Sequence, residues 1–189
     1  MRFTEIINKL NLDYKVYSFD SIDSTSGYLI SLIKNDKYVN KSLCISDTQT
    51  KGRGRHARNW YSPLNKNLYL SLCYVLSDKL MPIELDTVIA NALKDTLISQ
   101  YKKNFIVKKP NDIFYEDKKL AGVLVEVFNK GERKVVVIGI GLNFHLDNAD
   151  KKMIDAKATS LNEIIIADEI EASLLINSFI QVIERKLNQ

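Results

Sequence analysis

Cysteine is scarce in this sequence, and the two that occur, Cys44 and Cys73, each lie inside an apolar, strand-like run. Neither belongs to a spacing used by a zinc site or a disulfide framework, so both read as reduced core residues of a cytoplasmic protein. The two histidines, His56 and His145, form no metal-ligand pair. No stretch approaches the roughly 18 apolar residues that a membrane span needs. Charges run through the opening MRFTEIINKL, where a signal peptide would carry its apolar core. A soluble chain with no membrane partner is expected. Internal repeats, low-complexity tracts and a convincing linker are also missing. So is any single-signed tail: 27 Lys and Arg against 23 Asp and Glu leave a net charge of +4, which suits small anions or an acidic partner as well as nucleic acid.

Two nucleotide signatures are absent as well. Nothing matches Gly-x-x-x-x-Gly-Lys-Ser/Thr, and GIGLN at 139–143 has too few glycines for a dinucleotide fingerprint and sits in a hairpin-like strand.

What the chain does contain is an alternation of the two hydrophobic periods. YKVYSF (14–19), SLCISDT (42–48) and NLYLSLCYVL (67–76) read as strands, the last apolar enough to be buried on both faces. DSTSGYLISLIK reads as a helix with Asp23, Ser24 or Thr25 as N-cap and an apolar stripe of Tyr28, Leu29, Leu32 and Ile33. Pro82 is placed to open a second helix reaching Tyr101, since the first turn has no use for the N–H that proline lacks. FIVKK leads to two strands around the polar turn Glu116–Lys119, and NKGER turns the chain into the β-branched strand KVVVIGIGLNF. DNADKKMIDAKATS (147–160) is polar and loop-like, and EIEASLLINSFIQVIERKL closes the chain as an amphipathic helix. Consecutive hairpins predict an α+β fold, a mostly antiparallel central sheet flanked by helices, forming a single domain over 1–189.

One segment fits neither period. KGRGRHARNW (51–60) combines four cationic side chains with two glycines, a histidine and the one tryptophan. Gly52 and Gly54 allow close backbone approach to a ligand. Arg53, Arg55 and Arg58 carry planar forks that grip phosphate or carboxylate with paired hydrogen bonds. On the residues alone the segment is an anion-closing loop, an RNA-contacting loop or a solvated basic turn. Further on, Pro110 holds Lys109 extended, so Lys108 and Lys109 point to opposite sides of a strand end.

Read together and in order, DSTSGYL, SDTQTKGRGR, GRGRHARNW, KKPNDI, KLAGVLVE and VIGIGLNF resemble the catalytic domain of biotin protein ligases over roughly residues 17 to 187. The resemblance implies an enzyme that activates biotin as biotinoyl-5′-AMP with Mg-ATP and transfers it to a lysine of a biotin carboxyl carrier protein. It implies that Lys108, Arg53 and Arg55 carry the chemistry, with Lys108 between the biotin carboxylate and the α-phosphate. Biotin would be held by Ser24, Thr25, Ser26, Gln49, Arg53, Gly54, Arg55, Lys108 and Gly122. ATP would be held by Arg55, Arg58, Trp60, Lys108, Asn111 and Asn143. No side chain is firmly assigned to metal, Asn143 being the one offered to Mg2+. A lipoate or octanoate ligase of the same superfamily and a basic RNA-binding module are the rival readings.

Two departures stand out against the family loop Gly-Arg-Gly-Arg-Arg-Gly-Arg and its Lys-Trp-Pro-Asn-Asp. His56 and Ala57 replace Arg-Gly, removing a charge and stiffening the backbone, and Lys109 replaces the tryptophan, removing an apolar contact. No N-terminal helix-turn-helix and no small C-terminal β-barrel are expected, hence no DNA partner and a minimal ligase. A homodimer built by pairing sheets is admitted by family analogy.

Overall fold

The computed structural model describes residues 2–10, 12–77, 84–154, 156–166 and 170–187. Among these, seven strands form one sheet: β1 Lys15–Phe19, β2 Ser42–Ser46, β3 Leu68–Ser77, β4 Phe105–Lys108, β5 Asp112–Tyr115, β6 Lys118–Lys130 and β7 Arg133–Leu142. The spatial order is β1-β2-β3-β7-β6-β5-β4. β1 and β2 run parallel and the remaining neighbours antiparallel. The expected α+β architecture is therefore present. Gly131, at φ 61°, turns β6 into β7 where a side chain would be strained.

Both faces of β3 are covered, as its run of apolar residues requires. On one face Leu43, Leu70, Leu72, Val136 and Ile138 meet two long helices, α2 Leu85–Tyr101 and α5 Ala172–Leu187. In α5 the buried positions Ala172, Leu175, Ile176, Phe179, Ile180, Ile183 and Leu187 recur at helical spacing. Pro82, expected at the start of α2, lies outside the described residues.

The other face is only half covered. Leu29, Ile30 and Ile33 of helix α1, Thr25–Lys34, pack on Cys44, Cys73, Val135 and Val137. Strand alternation then brings Gly139 and Gly141 onto this face beyond the N-terminus of α1. These two positions of β7 present backbone with no side chain of their own.

Two segments differ from expectation. The polar stretch 147–160 contains a short helix, α3 Asn148–Lys152, in place of the expected loop. The Asp147 carboxylate accepts from Ala149 and Asp150 N–H, and the Asp150 carboxylate accepts from Asp147 N–H, which satisfies the orphan donors of the first turn from both sides. A further short helix, α4 Leu161–Ile164, follows. The N-terminal residues Phe3–Lys9 form a 3-10 helix whose Phe3 is fully buried, edge-on to Phe144. Buried Asp47 anchors it by accepting from Thr4 N–H and Oγ1 and from Arg2 Nε. No described helix is long and apolar enough to cross a membrane.

Candidate active site

Helix α1 begins at the edge of the glycine patch, and its first residues are hydroxylic. Ser24 caps it, its Oγ accepting from Gly27 N–H at 3.3 Å. Thr25 donates its N–H and its hydroxyl to Gln49 Oε1 at 2.9 and 3.2 Å. Because that hydroxyl has a single proton, Ser71 Oγ, 2.8 Å away, is the donor in their contact. Gln49 Nε2 donates to Ser62 Oγ, which donates in turn to the Trp60 carbonyl. Ser24 and Ser26 share a contact of 3.1 Å. All three residues 24–26 are buried. The result is a neutral wall of donors and acceptors with fixed directions.

The floor is glycine. Gly122 and Gly141 are cross-strand partners on β6 and β7, and the Trp60 indole lies across both. A Cβ on Gly141 would fall 2.3 Å from Trp60 Cε2, and one on Gly122 3.0 Å from Cζ3. Only bare backbone admits the ring at that height. Trp60 Nε1 is buried without a hydrogen-bond partner. Above the ring, 5.2 Å from its centroid, stands the Lys119 ammonium, itself 2.8 Å from Asp112 Oδ1.

The basic loop forms the lid. Gly54 N–H donates to the Arg58 carbonyl and Trp60 N–H to that of Gly52, tying the loop into a short ribbon. His56 and Ala57 sit at its tip with φ of 54° and 58°, a left-handed conformation that costs a residue bearing Cβ about 1 kcal/mol. Ala57 thus strains a turn that glycine would take freely. The Arg53 guanidinium is held by both oxygens of Glu126. Arg55 approaches Asp86 at 4.0 Å, and Arg58 forms no ion pair among the described residues.

Two adjoining cavities share this lid. The smaller, about 330 Å³, has the hydroxyl wall, the glycine floor, Trp60, Asn111, Lys109 and Lys119 around it. The larger, about 900 Å³, opens on the far side of the loop toward Asp23, Tyr28 and Glu126. Ser24, Thr25, Ser26, Gln49, Arg53, Gly54, Arg55, Arg58, Trp60, Asn111 and Gly122 all line the smaller one.

Lys108 and Asn143 do not. Lys108 ends the cross-strand row Lys108–Asp112–Gly122–Gly141 at the sheet edge, and its ammonium is turned over the Phe114 ring at 3.9 Å. Asn143 is buried, with its amide donated to the Thr159 carbonyl at 3.1 Å. Among the described residues no three His, Cys, Asp or Glu side chains gather where they could hold a metal. Asn111 lines the cavity while donating to the Val123 carbonyl at 2.6 Å, which pins β6 beside the site. Sequence reasoning passed over Lys119. Its signal was the first residue of KLAG, from which only Gly122 was taken.

Residues 18–143 match the model of the Biotin/lipoate A/B protein ligase family. The chain belongs to this family. Over 144 residues it is 36% identical to the bifunctional ligase/repressor BirA of Escherichia coli, a match covering 75% of this chain and 44% of that protein. It is 30% identical over 151 residues to the biotin--[acetyl-CoA-carboxylase] ligase of Mycobacterium tuberculosis, covering 76% of this chain and 53% of that one. The chain therefore spans about half the length of these family members. Its fold is that of the biotin protein ligases: the Aquifex aeolicus enzyme, solved in complex with biotin and ATP, superposes with a TM-score of 0.73 at 26% identity, covering 92% of this chain and 70% of that one.

Proposed function

We propose that this chain activates biotin with ATP to form biotinoyl-5′-AMP and transfers the biotinoyl group to a lysine of a biotin carboxyl carrier protein. One observation carries the reading. The smaller cavity has a neutral, directional hydroxyl–amide wall at one end and a paired lysine over the Trp60 ring at the other, under an arginine lid. A ureido ring, neutral and rich in hydrogen-bonding groups, satisfies the first; a carboxylate meeting a phosphate satisfies the second. The dithiolane of lipoate or the chain of octanoate offers no hydrogen-bonding groups to the directed donors and acceptors of this wall. An RNA-binding loop would have no use for the buried hydroxyl wall and the glycine floor beneath the lid.

On this reading a biotin carboxylate oxygen attacks the α-phosphorus, and the bond to pyrophosphate breaks. The carrier lysine, as the free amine, then attacks the acyl carbon, and AMP leaves with the bonding pair. The protein supplies position and fixed charge rather than a nucleophile. Lys119, inside the cavity, takes the bridging place that family resemblance gives to Lys108. Arg53, Arg55 and Arg58 close over the two anions and keep water from the anhydride. Trp60 offers its ring to the adenine. Asn143 is buried outside this cavity, its Nδ2 donating to the Thr159 carbonyl; Mg2+ would come with the ATP phosphates, whose charge it would neutralise. The setting is cytoplasmic, where burial keeps both thiols, Cys44 and Cys73, inert and up to about 12.

The test is direct. Purified protein, biotin and Mg-ATP should give biotinoyl-AMP and label a biotin carrier domain. Preferential use of lipoate or octanoate would overturn the biotin assignment.

A further inference from the structure

Resting on the ligase reading, we propose that Lys109 is a binding residue for the β- and γ-phosphates of ATP, the part that departs as pyrophosphate. Consider the charges on the smaller cavity. Lys119 is neutralised by Asp112 and Arg53 by Glu126, while Arg55 has a distant partner in Asp86. Arg58 and Lys109 line the same cavity, one from the lid and one from the segment after β4. Neither forms an ion pair among the described residues. Two unspent cations are more than a carboxylate and one phosphate oxygen require. They suit a polyphosphate, whose charge exceeds what the paired groups can balance.

Position gives the order. Across the sheet the hydroxyl wall belongs to β3 and α1, through Ser71 and Thr25. The glycine floor belongs to β7 and β6, Lys119 stands beside Asp112 of β5, and Lys109 follows the last residue of β4, the edge strand. A ligand laid from wall to edge presents its neutral ring, then its carboxylate and α-phosphate, and last the outer phosphates at Lys109. A lysine meets these as a compact point charge, without needing paired geometry.

Lys109→Met tests this, read in two half-reactions. The KM for ATP in biotinoyl-AMP formation should rise about tenfold while that for biotin stays within about twofold. Inhibition by inorganic pyrophosphate should weaken by a similar factor. Transfer from synthetic biotinoyl-AMP to the carrier domain should be unchanged, because pyrophosphate has left by then. Lys109→Arg, which keeps the charge, should restore most of the ATP affinity. An unchanged ATP KM and pyrophosphate inhibition in the methionine variant would mark Lys109 as merely solvated and overturn the proposal, as would equal loss in both half-reactions. If the wild-type chain makes no biotinoyl-AMP, the ligase reading fails on its own, and calorimetric titration with pyrophosphate still decides this one. Weaker binding to Lys109→Met supports the phosphate site and equal binding sinks it.

Discussion

Arg53 grips Glu126 with both ends of its guanidinium, at 2.8 and 2.7 Å, across 73 residues of sequence. The first arginine of the lid is thus latched to β6, and any anion it closes over must displace that carboxylate. The pair is 40% and 24% exposed, so it contributes about 1 kcal/mol or less. Glu126→Gln should release the loop: trypsin should cut after Arg53, Arg55 or Arg58 faster, by at most about fivefold. Thermal stability should barely move. Unaltered cleavage at those sites would mean that the latch does not hold the lid.

Lys119 lines the cavity and Lys108 lies outside it, and the two should separate in mutagenesis. Lys119→Gln removes a charge 2.8 Å from Asp112 and directly above Trp60. Biotinoyl-AMP formation should fall by about 10²–10³, the usual cost of losing one group aimed at developing charge. Lys108→Ala removes an ammonium that rests on Phe114 outside the cavity, and should cost less than about tenfold. The reverse ranking, in variants of normal circular dichroism, would return the bridging place to Lys108.

How much of this was readable from sequence depends on whether the cause is local. Hydrophobic periods report on burial residue by residue, so the sheet, α1 and α5 were legible. The glycines and arginines of the loop advertised their chemistry through residue type. α3 was missed although its Asp147–Asp150 box was readable, because the stretch looked polar throughout. The N-terminal 3-10 helix depends on Asp47, more than 40 positions away. Distance also hid the Arg53–Glu126 latch. The direction a lysine side chain takes is set by its neighbours in space, which is why Lys108 and Lys119 had to be told apart in three dimensions.

Gly141 carries a sharp steric prediction. A methyl there would sit 2.3 Å from Trp60 Cε2, so Gly141→Ala must expel the indole from its seat or deform β7. Overpacking of this kind costs about 1–3 kcal/mol. The chain has one tryptophan, so its emission reports the event without ambiguity and should shift to the red in the variant. Gly122→Ala, with its nearest approach at 3.0 Å, should do the same more weakly. An alanine variant at 141 with native emission and native stability would show that the ring does not rest on the glycine floor.

Asp147 links stability to pH. Its carboxylate accepts from Lys66 Nζ at 2.7 Å and from the first N–H groups of α3, and the lysine hydrogen bond leads in holding it down to about 2. An unfolded aspartate titrates at about 3.9. The folded value is the lower one, so the contribution is complete above about pH 5, declines as pH falls through the interval between the two values, and is gone below about 2. Asp147→Asn keeps an N-cap acceptor but cannot ionise. Acid unfolding followed by circular dichroism should therefore begin at higher pH in the wild type relative to its own neutral-pH stability than in the variant, whose stability should be flatter between about pH 5 and 2. Parallel acid limbs for the two proteins would remove Asp147 from the titration.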